Sequence, residues 1–173
     1  MSKTLRALIL FIIAVAAPTL VEGGPIPSLE LTPPGEAAVA PDIALNDLNG
    51  NPASLSGYRG KVVLLHFWAS WCLPCRDEFP KIKALWQRLK DKDFVVLAIA
   101  EDSHKAAEAF AKKEDIGFPV LVDQYGSALR SYGIKALPAS YLVNREGRLE
   151  GMAVGAREWD SNAAYDLISG MIK

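Results

Sequence analysis

Two cysteines stand in this chain of 173 residues, Cys72 and Cys75, in the stretch WASWCLPCRDEF at 68–79. Their chemistry depends on the elements around them. KVVLLHFWA, residues 61–69, is an unbroken β-branched and aromatic run, the pattern of a strand buried on both faces. Beyond it, Phe79, Ile82, Leu85, Trp86 and Leu89 recur at helical spacing, so a helix starts at the cysteines. Cys72 then falls at the helix N-terminus, where the first amides lack intrahelical partners and the dipole favours an anion. A thiol so placed can have its pKa lowered to roughly 3.5–7.5, which makes Cys72 the candidate attacking thiolate. Cys75, one turn on, can reach the same sulfur and is the candidate resolving thiol.

Other uses of a cysteine pair stay open. A structural bridge would close a very small loop and remove little chain entropy. Zinc needs about four ligands, and the chain has only His66 and His104 beside the two thiols. Two thiolates could hold Cu(I), as a carrier would, although no Met or His cluster accompanies them. Thiol–disulfide exchange fits the strand–turn–helix placement, and it fits an exported protein, whose cysteines meet disulfide chemistry.

Export is itself an expectation from the sequence. Lys3 and Arg6 precede the apolar run ALILFIIAVAA at 7–17, and Pro18 interrupts it. Residues 1–23 read as a signal peptide, cleaved near Gly23 and Gly24, or as an N-terminal membrane anchor; a span usually needs about 20 apolar residues. Residues 24–38 are rich in Pro and Gly and read as an extended linker, with one domain over 39–173. The net charge of −1, with both signs scattered, gives no footprint for nucleic acid.

Within the domain, Asn49-Gly50 between two short alternating runs predicts a β-hairpin over 42–55. FVVLAIA at 94–100 reads as a second buried strand, and Ser103 as the cap of a helix running to about Asp115. A short strand VLVD, a short helix ended by Gly133, a closing hairpin through SYLVN, and a last helix over Trp159–Ile172 follow. This order argues for an α/β domain: a mixed central sheet with helices on both faces. Pro138 cannot donate to a ladder and belongs at the start of the SYLVN strand.

FWASWCLPC, the E-F-P that follows and an X-Pro before a late strand resemble the thioredoxin superfamily over residues 39–172. More narrowly they resemble its periplasmic TlpA/ResA branch, which includes reductases serving cytochrome c maturation. The resemblance implies a thioredoxin fold with an added N-terminal β-hairpin, an exposed Cys72 that attacks first, and a Cys75 that resolves the mixed disulfide. It implies a cis Leu137–Pro138 bond against the cysteines, with the Leu137 backbone pairing with an extended substrate peptide. Trp71 and Pro74 complete that binding surface. Glu78 matches an acidic residue of the branch and, partly buried, would exchange a proton with a thiol; otherwise it is a solvent-facing helix residue. His66 is a departure, since it stands where thioredoxins carry Asp and many TlpA-like proteins Asn. It would either shuttle the Cys75 proton or sit neutral against a backbone carbonyl.

Peroxiredoxins share the early P-D-I-A-L…G-K-V-V-L pattern. Here Ala69 and Leu65 occupy the places of their hydroxyl residue and proline. The expectation is therefore a monomeric periplasmic reductase of protein disulfides. It would have no cofactor beyond a redox-active Cys72–Cys75 disulfide, no metal, and a membrane thiol-transfer protein as electron donor. A Cu(I) carrier or a disulfide oxidase of the same fold is the alternative.

Overall fold

The computed structural model describes residues 31–33 and 38–173. The segment read as a signal or anchor, and most of the linker, lie outside the described residues.

Among the described residues the chain forms seven strands and four helices. The predicted hairpin is β1 (Ala44–Asp47) and β2 (Pro52–Ser54), followed by a 3₁₀ turn over Leu55–Tyr58. Gly50, at φ 82°, makes its turn in a conformation that side chains disfavour, and the Asp47 carboxylate holds the amides of Asn49 and Asn51. The next elements are β3 (Val62–Trp68), α1 (Leu73–Leu89), β4 (Phe94–Ala100), α2 (His104–Lys113) and β5 (Val120–Val122). The chain closes with α3 (Ser127–Ser131), β6 (Ala139–Val143), β7 (Leu149–Val154) and α4 (Asn162–Ile172).

The sheet order is β2-β1-β5-β4-β3-β6-β7. β3, β4 and β5 run parallel, while β6, β7 and the hairpin join antiparallel. This is the thioredoxin-like arrangement with an N-terminal β-hairpin added at one edge. At the other edge, Thr32 exchanges backbone hydrogen bonds with Met152, so part of the segment read as linker pairs with the sheet.

Side chains of β3 alternate between two apolar layers. Val62, Leu64 and Trp68 face one layer with α1, α2 and α4; Val63, Leu65 and Phe67 face the other with α3 and the 3₁₀ turn. In the first layer Trp68, Phe79 and Phe110 pack with ring centroids 4.7–5.1 Å apart. Each such side chain contributes roughly 1.5–3 kcal/mol on burial. That packing fixes the start of α1 against the end of β3. His66, by the same alternation, enters the α1 layer.

Candidate active site

Trp68 ends β3, and four residues turn the chain into α1. The turn is tied down from outside: the Asp102 carboxylate accepts from the Ser70 amide at 2.9 Å and from its hydroxyl at 2.6 Å. Cys72 is the N-cap of α1, with extended backbone, and its Sγ accepts from the Cys75 amide at 3.3 Å. Pro74 stands in the first turn, where its missing N–H costs no helix bond. α1 then runs through Pro80 without ending.

Cys72 and Cys75 form a disulfide, with Cα atoms 5.3 Å apart. Cys75 is fully enclosed and Cys72 keeps 6% of its surface accessible. The expectation of an exposed Cys72 is corrected to that extent: the bridge and the surrounding turn leave only a small window. The access is still one-sided, and it belongs to Cys72. Around the window, Trp71 is 68% exposed and Leu73 63%, an apolar rim beside the sulfurs, with Pro74 also exposed.

The Leu137–Pro138 bond is cis. Ala139 pairs with Phe67, so Pro138 lies at the end of the sheet where β3 delivers the cysteines. The Pro138 carbonyl accepts from the Gly155 amide at 2.8 Å. Leu137 is half-buried.

Glu78 is not solvent-facing; only 1% of its surface is accessible. Its Oε1 accepts from the Arg157 amide at 2.9 Å and from the Trp159 indole N–H at 2.6 Å. Burial raises its pKa to about 7, and these two hydrogen bonds, with the charges of Arg157 and Lys81, pull against that rise. Oε2 has no partner among the described residues.

His66 is also fully buried, and its partner is neither a backbone carbonyl nor a charge. Nδ1 lies 3.0 Å from Ser140 Oγ, because register sets Ser140 directly across from His66. Burial pulls its pKa down to about 3, so the ring is neutral. Its Nε2 faces Glu78 Oε2 at 3.9 Å. With a neutral imidazole that contact is not an ion pair, and the distance is too long for a direct hydrogen bond. Among the described residues Nε2 is unpartnered as well. An unsatisfied buried polar atom costs about 1–3 kcal/mol, so two facing each other call for an explanation.

The structure thus places Cys72, Cys75, Trp71, Pro74 and Glu78 on the turn after β3 and the first turns of α1, His66 on β3 facing Glu78, and Leu137 and Pro138 just before β6, the strand beside β3. It adds four residues that sequence reasoning missed. Arg157 and Trp159 hold Glu78, Ser140 holds His66, and Asp102 holds the turn before Cys72. None of the four carried a local signal that tied it to the site; Ser140 meets His66 only through the β3–β6 register.

The chain matches the AhpC/TSA family over residues 37–152. It belongs to that family. Within it, the chain is similar to the thiol-disulfide oxidoreductase ResA of Bacillus thuringiensis, 35% identical over 111 residues, 64% of each chain. It therefore spans slightly less than two thirds of that relative's length. It is 39% identical over 123 residues to the thioredoxin-like protein YneN of Bacillus subtilis, covering 69% of this chain and 72% of the other. A crystal structure of a candidate thiol:disulfide interchange protein DsbE from Chlorobium tepidum superposes with a TM-score of 0.74 at 35% identity, covering 83% of this chain and all of the other. These likenesses place the chain among ResA/TlpA-like members of the thioredoxin superfamily.

Proposed function

We propose that this chain is a thiol–disulfide oxidoreductase that reduces disulfides in exported proteins. The single observation that carries the reading is the placement of the bridge. Cys72 Sγ caps α1 and accepts an amide hydrogen bond, and of the two cysteines Cys72 alone keeps accessible surface.

In the reduced enzyme the Cys72 thiolate attacks one sulfur of a substrate disulfide. The substrate S–S bond breaks, one substrate thiolate leaves and takes a proton, and a mixed disulfide joins Cys72 to the other sulfur. Cys75 then gives its proton to the Glu78 carboxylate and attacks Cys72 Sγ. The second substrate thiolate leaves, and the enzyme keeps the Cys72–Cys75 disulfide. Two electrons have passed to the substrate, and a membrane thiol-transfer protein returns them. Glu78 suits the exchange because its pKa of about 7 lets it both take and give a proton near neutrality. Trp71, Leu73 and Pro74 form the apolar contact for the substrate, and the backbone of Leu137, before Pro138, is the strand edge that an extended peptide joins.

The apolar run at 7–17 supports a location outside the cytoplasm, in the periplasm or its equivalent, whether the N-terminus is cleaved or kept as an anchor. The reductive direction, and service to cytochrome c maturation, rest on likeness to the ResA branch. Replacing Cys75 with Ser blocks the second step, so substrates should accumulate as mixed disulfides on Cys72. If none accumulates, the order of attack is wrong. An equilibrium potential well below about −200 mV supports a reductase, and one near −120 mV an oxidase.

A further inference from the structure

The two oxygens of Glu78 do different work. Oε1 takes both donors, the Arg157 amide and the Trp159 indole. Oε2 takes neither and is directed at His66 Nε2, 3.9 Å away, with both atoms buried and unpartnered among the described residues. A bare carboxylate oxygen and a bare ring nitrogen repel each other. A proton between them removes the conflict, and His66 has its other nitrogen occupied: Nδ1 lies 3.0 Å from Ser140 Oγ.

The geometry points to His66 as a positioning residue for Glu78: Ser140 Oγ accepts from Nδ1–H, which leaves Nε2 as an acceptor for the Oε2 proton, taken directly after a small rotation or through one water. The inference rests on reading Glu78 as the proton partner of Cys75, and it says where that proton is held. When Cys75 gives its proton to Glu78, the new O–H finds Nε2 waiting. An acceptor for the O–H favours the protonated acid and so favours the Cys75 thiolate.

The surroundings support this assignment of the proton. From α1, His66 meets Glu78 and the edge-on ring of Phe79; from β6 it meets Ser140; on β4 its neighbour in register is Ala98. Around Glu78 stand the charges of Arg157 and Lys81. Lys81 is paired with Glu158, and the Arg157 guanidinium donates to the carbonyls of Gly155 and Ala156. Among the described residues Arg157 Nε is buried and without a hydrogen-bond partner, and neither cation makes a hydrogen bond to Oε2. Burial lowers the imidazole pKa and raises the carboxyl pKa, so the proton belongs to the carboxyl and the ring stays neutral.

The test uses the oxidised wild-type protein and needs no turnover. With ¹⁵N-labelled histidine and ¹³C-labelled glutamate, NMR should show His66 protonated on Nδ1 and bare on Nε2 below neutrality, while the Glu78 carboxyl holds its proton. The Nε2 resonance should shift with an inflection at the pH where the Glu78 carboxyl titrates. A proton on Nε2 below that inflection, or an Nε2 resonance indifferent to the Glu78 titration, overturns the proposal. In the variants, His66→Phe should lower the Glu78 pKa by about one unit, a tenfold change in the proton-binding constant. His66→Gln, which offers a carbonyl oxygen, should recover part of the loss. A Glu78 pKa unchanged or raised in His66→Phe also overturns it. Failure of the Cys75→Ser trap would instead count against the reading of the reaction, so the two failures are separable.

Discussion

Trp159 Nε1 donates to Glu78 Oε1 at 2.6 Å across a sequence separation of 81 residues. The indole is fully buried, and its N–H has found the one oxygen that also takes the Arg157 amide. A carboxyl inside an apolar layer would be held strongly toward its protonated form. These two donors restrain the rise and bring Glu78 to about 7, where it can act in both directions.

Trp159→Phe keeps the ring and removes the donor. Hydrogen bonds to a charged group are worth about 1.5–3 kcal/mol, so the Glu78 pKa should rise by about one unit or more. The pH at which Cys75 resolves a preformed mixed disulfide should move up by the same amount. Single-turnover release measured against pH checks it, and an unmoved profile would mean that Trp159 serves packing alone.

Glu78 and His66 together should shape stability against pH. In the unfolded chain Glu78 titrates near 4.5, and in the fold near 7, so the native state binds the extra proton between those values. Stability therefore falls as pH rises through that window, by on the order of 3 kcal/mol in all. His66 titrates near 6.5 unfolded and near 3 folded, so there the unfolded state binds the extra proton, and stability falls as pH drops. Between 4.5 and 6.5 the two slopes cancel, since each state holds one proton on the pair. Urea midpoints should show Glu78→Gln more stable than wild type at pH 8 but not at pH 5, and His66→Phe resisting acid better. Parallel curves for wild type and variants would refute it.

The elements that carry the cysteines were legible because their signals are local. A continuous apolar strand, a helix-period face and the Asn49-Gly50 turn each lie within a few residues, and β1 to β4 form where those patterns put them. What was illegible depends on distance along the chain. Trp159 reads as the start of the last helix, yet Ser161 caps it and α4 begins at Asn162, which leaves Trp159 in the loop to reach Glu78. The partner of His66 follows from the β3–β6 register, which no stretch of either strand encodes alone. Likewise the pairing of Thr32 with Met152 depends on a free sheet edge, and a Pro/Gly-rich segment gives no hint of one.

Asp102 should matter to the site although it touches neither sulfur. Its Oδ2 accepts from both the amide and the hydroxyl of Ser70, and so anchors the turn that sets Cys72 on the helix end. Asp102→Ala leaves a part-buried amide unpaired, a loss of about 1–3 kcal/mol. Exchange of the Ser70 amide should quicken more than exchange in β4, and substrate attack by Cys72 should slow. Uniform loss of protection would instead indicate a global effect.

Trp71 offers the opposite combination. The residue is 68% exposed beside a cysteine that is itself nearly covered. Such a side chain adds little to the fold, so Trp71→Ala should change the unfolding free energy by no more than about 0.5 kcal/mol. As an apolar rim it is placed to meet a substrate protein first, and aromatic anchors of this kind can cost about 2 kcal/mol or more of binding when removed. KM for a protein disulfide should therefore rise at least tenfold, while the rate with a small disulfide, which needs no such contact, should hold. Equal losses with both substrates would mean that Trp71 acts on the sulfurs themselves, by shielding the bridge, and not on the partner.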